Sequence, residues 1–286
     1  MPTDTTARSR RRTGAALAAV AAAVLVPSAL SVPAAHAAAP APAQAAVKYN
    51  KLYYTASKGQ TNKLAVSWKL GPQDPDSTLY YMIFTLDDVV SVTPGAGCVR
   101  PSASDTTKVV CTLLEPGYEA SDLDSLIVDL GDRDDTATVA ADSGAYTRVY
   151  GGTGDDTLTG HGRDVLYGQA GDDTLHGGGG AYSEGSYGGS GNDRLTDCAY
   201  ECHGGTGNDT LYGTGTDNVL SGDEGNDTVH GGSGPDLILG GPGNDRLYGD
   251  KGNDRIYGNS GNDTLHGGPG TDTLSGGPGK DRIYGN

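Results

Sequence analysis

Large apolar side chains are scarce in this sequence. Its 286 residues include one Phe, one Trp and two Met, whereas 47 residues are Gly. A chain of this length has room for two ordinary domains, but this composition cannot fill two ordinary hydrophobic cores. Residues 48–128 also show no apolar period typical of an amphipathic helix. We therefore expect an all-β protein that is not built around a conventional core.

Basic residues are also in the minority. The chain has 20 Lys and Arg against 36 Asp and Glu, for a formal net charge of −16. A surplus of negative charge repels the phosphates of nucleic acids and anionic membrane surfaces. We therefore expect no nucleic acid among the partners.

The N-terminal 37 residues have the pattern of an export signal. Four arginines between residues 8 and 12 precede an apolar stretch at 15–30, and Ala35-His36-Ala37 provides a small-x-small cleavage site. A transmembrane anchor is the alternative, but the stretch is short, rich in Ala and broken by Pro27. The sequence predicts a secreted protein with no membrane span. It does not distinguish general secretory export from twin-arginine export.

The cysteines are few and even in number. Four cysteines in an exported chain favour two disulfides, and the simplest of the three possible pairings is Cys98–Cys111 with Cys198–Cys202. In the alternative interpretation, Cys198, Cys202 and His203 hold a soft metal ion.

The region between the export signal and the repeats described below consists of short apolar runs. We interpret residues 38–47 as a linker and residues 48–128 as a small all-β region, because these runs alternate with clusters of Gly, Pro and Asp. The predicted strands are 52–55, 64–70, 78–86, 109–114 and 125–130.

A nine-residue repeat occupies the rest of the chain, from residue 129 to residue 286. Its template is G-x-x-G-x-D-x-U-x, where U is aliphatic. Residues 130–138 are a degenerate copy, with Arg133 in place of the second Gly and Ala137 in place of the aliphatic residue, and we predict that they form the first rung. The period slips at 160–167, 177–187, 197–203 and 213–221. Full matches begin at Gly151, Gly168, Gly188, Gly204, Gly222, Gly231, Gly240, Gly249, Gly258, Gly267 and Gly276.

Each position of the repeat has a predicted structural role. Gly at the first and fourth positions permits the positive φ angles of a tight turn. Positions seven to nine form a strand in which only position eight points inward, because strand side chains alternate. Nine residues then make half of a coil, so aspartates eighteen residues apart stack along one edge. The regular block has Asp209, Asp227, Asp245, Asp263 and Asp281 on one edge, and Asn218, Asp236, Asp254 and Asp272 on the other.

The stacked carboxylates predict calcium sites. At a spacing of roughly 4.8 Å they repel one another unless a cation lies between them, and carboxylate and carbonyl oxygens are ligands that Ca²⁺ prefers. The regular block predicts about seven sites, of which the one at the uncharged Asn218 is the weakest. Each coil buries only two aliphatic side chains, so we expect the array to be largely unfolded without calcium. The predicted metal ligands are Asp156, Asp164, Asp173, Asp193, Asp209, Asn218, Asp227, Asp236, Asp245, Asp254, Asp263, Asp272 and Asp281.

The nonapeptide resembles the repeat of the RTX, or haemolysin-type calcium-binding, family. This resemblance implies a parallel β-roll in which the position-six aspartates bind calcium through their side chains, helped by carbonyls of the first and third positions. The sequence lacks H-E-x-x-H and G-x-S-x-G, and residues 48–128 contain no His. We therefore predict a non-enzymatic structural module, or one that binds a cell-surface or matrix component. The alternative is an extracellular enzyme or toxin-like protein with its activity in residues 48–128 and the repeats as a calcium-dependent scaffold.

Aromatic side chains recur at position nine, pointing outward from the strands. We favour cross-strand stacking over sugar binding for them, and we expect His176, His230 and His266, at the same position, to be surface residues. The repeats run to the end of the sequence, so we expect the last coil to fray, to be covered by a partner or to self-associate. The tyrosines at this position are Tyr167, Tyr212, Tyr248, Tyr257 and Tyr284.

Overall fold

The computed structural model describes residues 40–76, 78–114, 124–141, 145–177, 185–215 and 217–285. The predicted export signal and part of the irregular segment 177–187 lie outside these ranges. Every regular element of the described residues is a β-strand. No helix in them is long and apolar enough to cross a membrane.

Eight strands precede or begin the repeat array. They are β1 (Ala43–Lys48), β2 (Lys51–Thr55), β3 (Lys63–Gln73), β4 (Tyr80–Asp87), β5 (Val92–Pro94), β6 (Cys98–Val99), β7 (Lys108–Leu114) and β8 (Asp124–Asp129).

Seventeen shorter strands follow. They are β9 (Thr136–Val139), β10 (Tyr146–Thr153), β11 (Thr157–Thr159), β12 (Val165–Ala170), β13 (Thr174–His176), β14 (Ser186–Ser190), β15 (Arg194–Cys198), β16 (Glu201–Thr206), β17 (Thr210–Gly213), β18 (Val219–Glu224), β19 (Thr228–His230), β20 (Leu237–Pro242), β21 (Arg246–Tyr248), β22 (Arg255–Ser260), β23 (Thr264–His266), β24 (Thr273–Ser275) and β25 (Arg282–Tyr284).

The strands form two sheets that face each other in a parallel β-solenoid of about eight coils. The even-numbered strands from β8 to β24 lie side by side in a 12-stranded sheet, and the odd-numbered strands from β9 to β25 lie in a 13-stranded sheet. Neighbours in the regular block are parallel and shifted by one coil, so that Leu247 pairs with Leu265 and Ile238 with Ile256. The chain therefore completes one coil in eighteen residues, and the predicted parallel β-roll is confirmed.

One file of aliphatic side chains from each sheet fills the space between the sheets. Position eight of the repeat is buried in both sheets, from Leu158 and Leu166 to Ile256 and Leu265, all 0% exposed. Ala137 of the degenerate copy continues one file and pairs with Leu158. The inward orientation of position eight is confirmed, and the core is only two side chains wide per coil.

The N-terminal strands extend the same two sheets. Strand β2 pairs in parallel with β8, and β3 pairs in parallel with β9. Strands β2, β3, β4, β7 and β8 lie where the sequence predicts strands. Strands β1, β5 and β6 were not predicted, and β1 occupies the second half of the segment interpreted as a linker. These short strands are held by pairing with other strands; β1, for example, lies between β2 and β5.

Both predicted disulfides are present, Cys98–Cys111 between β6 and β7 and Cys198–Cys202 between β15 and β16. The second disulfide uses both sulfur atoms that the alternative soft-metal site required. Segment 197–203 shortens a rung without removing it, because Cys202 pairs with Ser186 and Leu220 in the inner file. The disulfide thus fills the place of an aliphatic side chain in the core.

Candidate metal centre

The turns between strands place a glycine at each fourth position in the left-handed region. From Gly154 to Gly270 these residues have φ between 104° and 158°, as the sequence predicts. Arg133, at the corresponding position of the degenerate copy, also has a positive φ of 87°. The fourth position therefore sets the sharp turn that ends each strand.

The prediction that the first-position glycine adopts a positive φ angle is wrong. First-position glycines do not adopt positive φ angles; the left-handed residue is the second one, for example Asp250 with φ 63°. A methyl group on first-position Gly240 would lie within 3.0 Å of Oδ2 of Asp245 and of the carbonyl oxygen of Gly258, one coil further on. The first position must be glycine because oxygen atoms occupy the space that a side chain would need.

Nine aspartates form a continuous column along one edge of the solenoid, which we call the first ladder. The backbone N–H of each aspartate donates a hydrogen bond to Oδ1 of the aspartate in the following coil, at 2.7–3.1 Å. The ladder consists of Asp135, Asp156, Asp173, Asp193, Asp209, Asp227, Asp245, Asp263 and Asp281.

A second ladder lies on the opposite edge and is shorter. It consists of Asn218, Asp236, Asp254 and Asp272, joined by the same bonds at 2.8–3.0 Å. Asp164 lies on this edge nearer the N-terminus, where its Oδ2 accepts the backbone N–H of His161. Between Asp164 and Asn218 the coils bring Gly185 and Tyr200 to this edge, immediately before β14 and β16.

The second oxygen of the ladder carboxylates has no hydrogen-bond donor. In every ladder aspartate from Asp135 to Asp263, on both edges, Oδ2 is buried and unpartnered. The same is true of Oδ1 in Asp164 and in Asn218. Burying a polar atom without a partner costs free energy, so each rung presents an unsatisfied acceptor beside a main-chain carbonyl.

Burial makes the charged form of these carboxylates unfavourable. Loss of solvation, and to a lesser extent the charge of neighbouring ladder carboxylates, raises the pKa of Asp156, Asp193, Asp209 and Asp245 to about 7. The same loss of solvation raises the pKa of Asp164, Asp173, Asp227 and Asp236 to about 6. Binding of a proton or of a cation to a ladder carboxylate would remove the cost of its buried charge.

The donor atoms of the rungs fit calcium. They are all oxygen, from carboxylates and main-chain carbonyls, the set that suits a hard divalent ion. Among the described residues, no three His, Cys, Asp or Glu side chains are grouped so that they could hold a metal by themselves. An ion at a rung therefore needs main-chain carbonyls as well as carboxylates. Because these carbonyls come together only when the coils are stacked, the site exists only in the folded array.

A family model that describes four consecutive copies of the RTX calcium-binding nonapeptide repeat matches the chain in five partly overlapping segments, residues 150–183, 203–238, 230–265, 239–274 and 266–286. These segments contain most of the ladder residues described above. This part of the chain is an RTX repeat array. Calcium is the ion that RTX repeats bind. No curated protein matches the chain.

The RTX array brings the predicted ligands together along two edges, as the eighteen-residue spacing predicts. Asp156, Asp173 and Asp193 join the regular block on the first ladder, although the spacing between them is irregular. Asp164 is separated from the rest of the second ladder. Asp135, which the sequence analysis placed in the first rung but did not include among the ligands, also belongs to the first ladder.

A column of asparagines beside the first ladder of the RTX array was missed. The side-chain amide of each asparagine donates to Oδ1 of the one before it, at 2.9–3.1 Å, and its backbone N–H does the same. The recurrence of Asn-Asp at positions five and six was the available signal. The column consists of Asn192, Asn208, Asn226, Asn244 and Asn262.

The outward aromatic residues of the RTX array form two continuous stacks. Ring centroids are 4.4–5.3 Å apart, and the planes are inclined by 5–11°. The preferred interpretation, cross-strand stacking, is therefore confirmed, and it leaves few ring faces free to contact a sugar. One stack is Tyr150, Tyr167, Tyr187 and His203; the other is Tyr212, His230, Tyr248, His266 and Tyr284.

Several histidines of the RTX array are paired with acids rather than being isolated surface groups. Nδ1 of His230 lies 3.3 Å from Oδ2 of Asp250. His203 contacts Asp223 through Nδ1 and Glu201 through Nε2, both at 3.0 Å. These two hydrogen bonds, that of Asp223 first, raise the pKa of His203 to about 9. His203, which ends the stack of Tyr150, Tyr167 and Tyr187, is therefore positively charged at neutral pH.

Proposed function

We propose that this protein is a secreted calcium-binding protein whose repeat array folds when Ca²⁺ binds between stacked turns. In this proposal the array is a structural module, or one that binds a cell-surface or matrix component. The ligands are the thirteen predicted side chains, acting with main-chain carbonyls. The observation that carries the proposal is the row of buried, unpartnered Oδ2 atoms along the two ladders.

Electrostatics supports coupling between the ion and the fold. Without a cation, folding buries carboxylates in columns, each with an acceptor that has lost its water. The two-residue width of the core limits how much apolar burial can offset this cost. A divalent ion at a rung neutralises the charge and supplies the missing partner for Oδ2. Binding free energy then contributes directly to folding free energy.

A calcium titration followed by far-UV circular dichroism tests the proposal. The chain without residues 1–37 is dialysed free of metal and titrated with Ca²⁺, with Mg²⁺ as the control ion. We expect a cooperative transition from coil to β-structure with Ca²⁺ alone, because Mg²⁺ demands a small octahedral site and gives up its water reluctantly. A β spectrum that does not change between chelator and calcium would contradict the proposal.

Secretion is tested separately. The support for it is the N-terminal pattern of arginines, apolar stretch and Ala35-His36-Ala37, together with the two disulfides, which persist in oxidising surroundings. We expect the protein in the culture medium to begin at Ala38. Retention of residues 1–37 in a cell-associated protein would instead favour the membrane anchor.

A further inference from the structure

The first ladder continues beyond the repeats into the N-terminal strands. The backbone N–H of Asn62 donates to Oδ1 of Asp135 at 2.6 Å, which is the same bond that joins successive aspartates of the ladder. Asn62 immediately precedes β3, which pairs in parallel with β9, the strand after Asp135. Asn62 therefore occupies the ladder position one coil before Asp135, although it belongs to no nonapeptide.

Two oxygens at this junction are buried and have no donor. Asn62 is 0% exposed and its Oδ1 is unpartnered, while Asp135 is 2% exposed and its Oδ2 is unpartnered. The orientation of the Asn62 amide is set by its other end, since Nδ2 donates to the hydroxyl of Tyr54 at 2.8 Å and to Oδ2 of Asp88 at 3.2 Å. Oδ1 of Asn62 therefore lies at the end of the amide opposite to Tyr54 and Asp88, the described side chains to which the amide is hydrogen-bonded.

The charges near Asp135 are negative, so they do not stabilise its ionised carboxylate. Asp88 is buried, but it accepts hydrogen bonds from Tyr54, Asn62 and the backbone N–H groups of Lys63 and Val89. Asp135 receives only the Asn62 N–H. No ion pair of the described residues involves it. Burial and the charge of Asp88 both make an ionised Asp135 costly here.

We propose that Asp135 Oδ2 and Asn62 Oδ1 form an additional calcium site at the N-terminal end of the first ladder, outside the matched repeats. The inference rests on the proposed function, since it assumes that the ladder binds calcium. The site differs from a repeat rung because Leu130 replaces the first-position glycine and because Asn62 provides an amide oxygen in place of a carboxylate oxygen. Its consequence is that calcium also fixes β3, and with it the N-terminal sheet, to the array.

The first test counts bound ions. Equilibrium dialysis of the folded protein, at the free calcium concentration that just saturates the wild type, gives moles of calcium per chain. We expect Asp135→Asn to lose at least one ion, because the substitution keeps the Oδ1 acceptor and removes the charge. Asp129→Asn is the matched control, since Asp129 is an exposed acid at the end of β8, and it should bind as many ions as the wild type.

The second test follows the junction between β3 and the first rung by tryptophan fluorescence. Trp68 is the only tryptophan in the chain and lies on β3, packed against Phe84. We expect its fluorescence to respond to calcium and Asp135→Asn to shift the midpoint of that response to at least threefold higher calcium. In Asn62→Asp a carboxylate replaces the amide, and the midpoint should move to lower calcium if an ion is bound there.

The outcomes separate this inference from the proposed function. An unchanged ion count in Asp135→Asn, or a calcium midpoint for Asn62→Asp that is unchanged or higher, would overturn the additional site while leaving the repeat sites intact. Should Asp135→Asn fail to fold even in calcium, the Asn62→Asp midpoint decides alone. Absence of calcium binding by the wild type would overturn the proposed function first.

Discussion

At the scale of single residues, the two carboxylate oxygens of each ladder aspartate have different roles. Oδ1 accepts the backbone N–H of the preceding coil and fixes the register, whereas Oδ2 remains without a donor beside a glycine carbonyl. The same side chain therefore holds neighbouring coils together and leaves an acceptor that only a cation or a proton can satisfy. Substitutions at one rung should separate these two contributions.

Removing one ladder charge should have opposite effects with and without calcium. Asp245→Asn keeps the size of the side chain but removes a buried, unpaired carboxylate. We expect the chelated protein to gain stability on the order of 1–3 kcal/mol, and the calcium-bound protein to lose a similar amount. Urea unfolding of the calcium-bound protein, and the β content of the chelated protein by far-UV circular dichroism, measure the two effects, with the exposed Asp76→Asn as control. Destabilisation in both conditions would mean that the carboxylate is satisfied without an ion.

The first-position glycine should tolerate no side chain. Gly240→Ala places a methyl group against Oδ2 of Asp245 and the carbonyl of Gly258, so we expect a loss of about 1–3 kcal/mol in calcium and a weakened site at that rung. Gly162→Ala is the matched control, because nothing lies within 4 Å of a methyl group there. Equal stability of the two variants in thermal unfolding would show that the turn relaxes to accept the methyl group.

Acid should stabilise the calcium-free roll. In the unfolded chain these aspartates have a pKa of 3.8, whereas burial raises the pKa of Asp156 and Asp209 in the roll to about 7. The folded state then binds protons more tightly, so its stability is lowest above pH 7 and increases as the pH falls from about 7 towards 4. Far-UV circular dichroism in calcium-free buffer measures the amount of β-structure at pH 5 and at pH 7.5. A β content no higher at pH 5 would contradict the expectation.

At the scale of elements, the strands could be predicted better than the turns. Apolar runs between clusters of Gly, Pro and Asp located β2, β3, β4, β7 and β8, and the nine-residue repeat located the rungs of the array, because both patterns are local properties of the sequence. The reason for the first-position glycine could not be found in this way, because it depends on a carbonyl eighteen residues away. Strands β1, β5 and β6 were missed because pairing with other strands, rather than their own pattern, orders them.

The ladder also extends further than the repeat template indicates. Asn62 belongs to no nonapeptide and Asp135 belongs to a degenerate copy, so a search for full matches to the template finds neither, although they share the hydrogen bond of the ladder. The asparagine column was visible in the sequence as a recurring residue, yet its role becomes clear only when coils are stacked. Sequence period thus predicts which residues share an edge, and the structure shows which atoms on that edge lack partners.

The aromatic stacks should contribute to the stability of the folded array. Tyr248→Ala removes two ring contacts, with His230 and His266. At about 0.5–1.5 kcal/mol per aromatic pair, we expect a loss of roughly 1–3 kcal/mol in saturating calcium. Tyr257→Ala is the control, since Tyr257 also occupies position nine but pairs across strands with Leu239 and Ser275. An equal loss in both variants, measured by urea unfolding, would assign the effect to burial rather than to stacking.

At the scale of the whole molecule, each coil of the array pairs only with the coils before and after it. The two sheets run without interruption from the N-terminal strands to the last repeat, so neighbouring interfaces carry the cooperativity. An ion bound between two turns belongs to one interface, so its loss weakens that interface and leaves distant coils intact. Under the proposed function, calcium concentration then sets how many consecutive coils are folded.

The bonds between coils also determine the response of the molecule to tension. Because the ladder hydrogen bonds and the strand pairing both run along the solenoid axis, a pull on the two ends loads the interfaces one at a time. Each coil that peels away releases eighteen residues, or about 60 Å of extended chain. Optical-tweezer traces should show steps of that length at forces that rise with calcium, and a single all-or-none rupture would argue against it. If calcium binds between the coils as proposed, a molecule anchored at both ends is an extensible tether whose stiffness is set by the surrounding calcium.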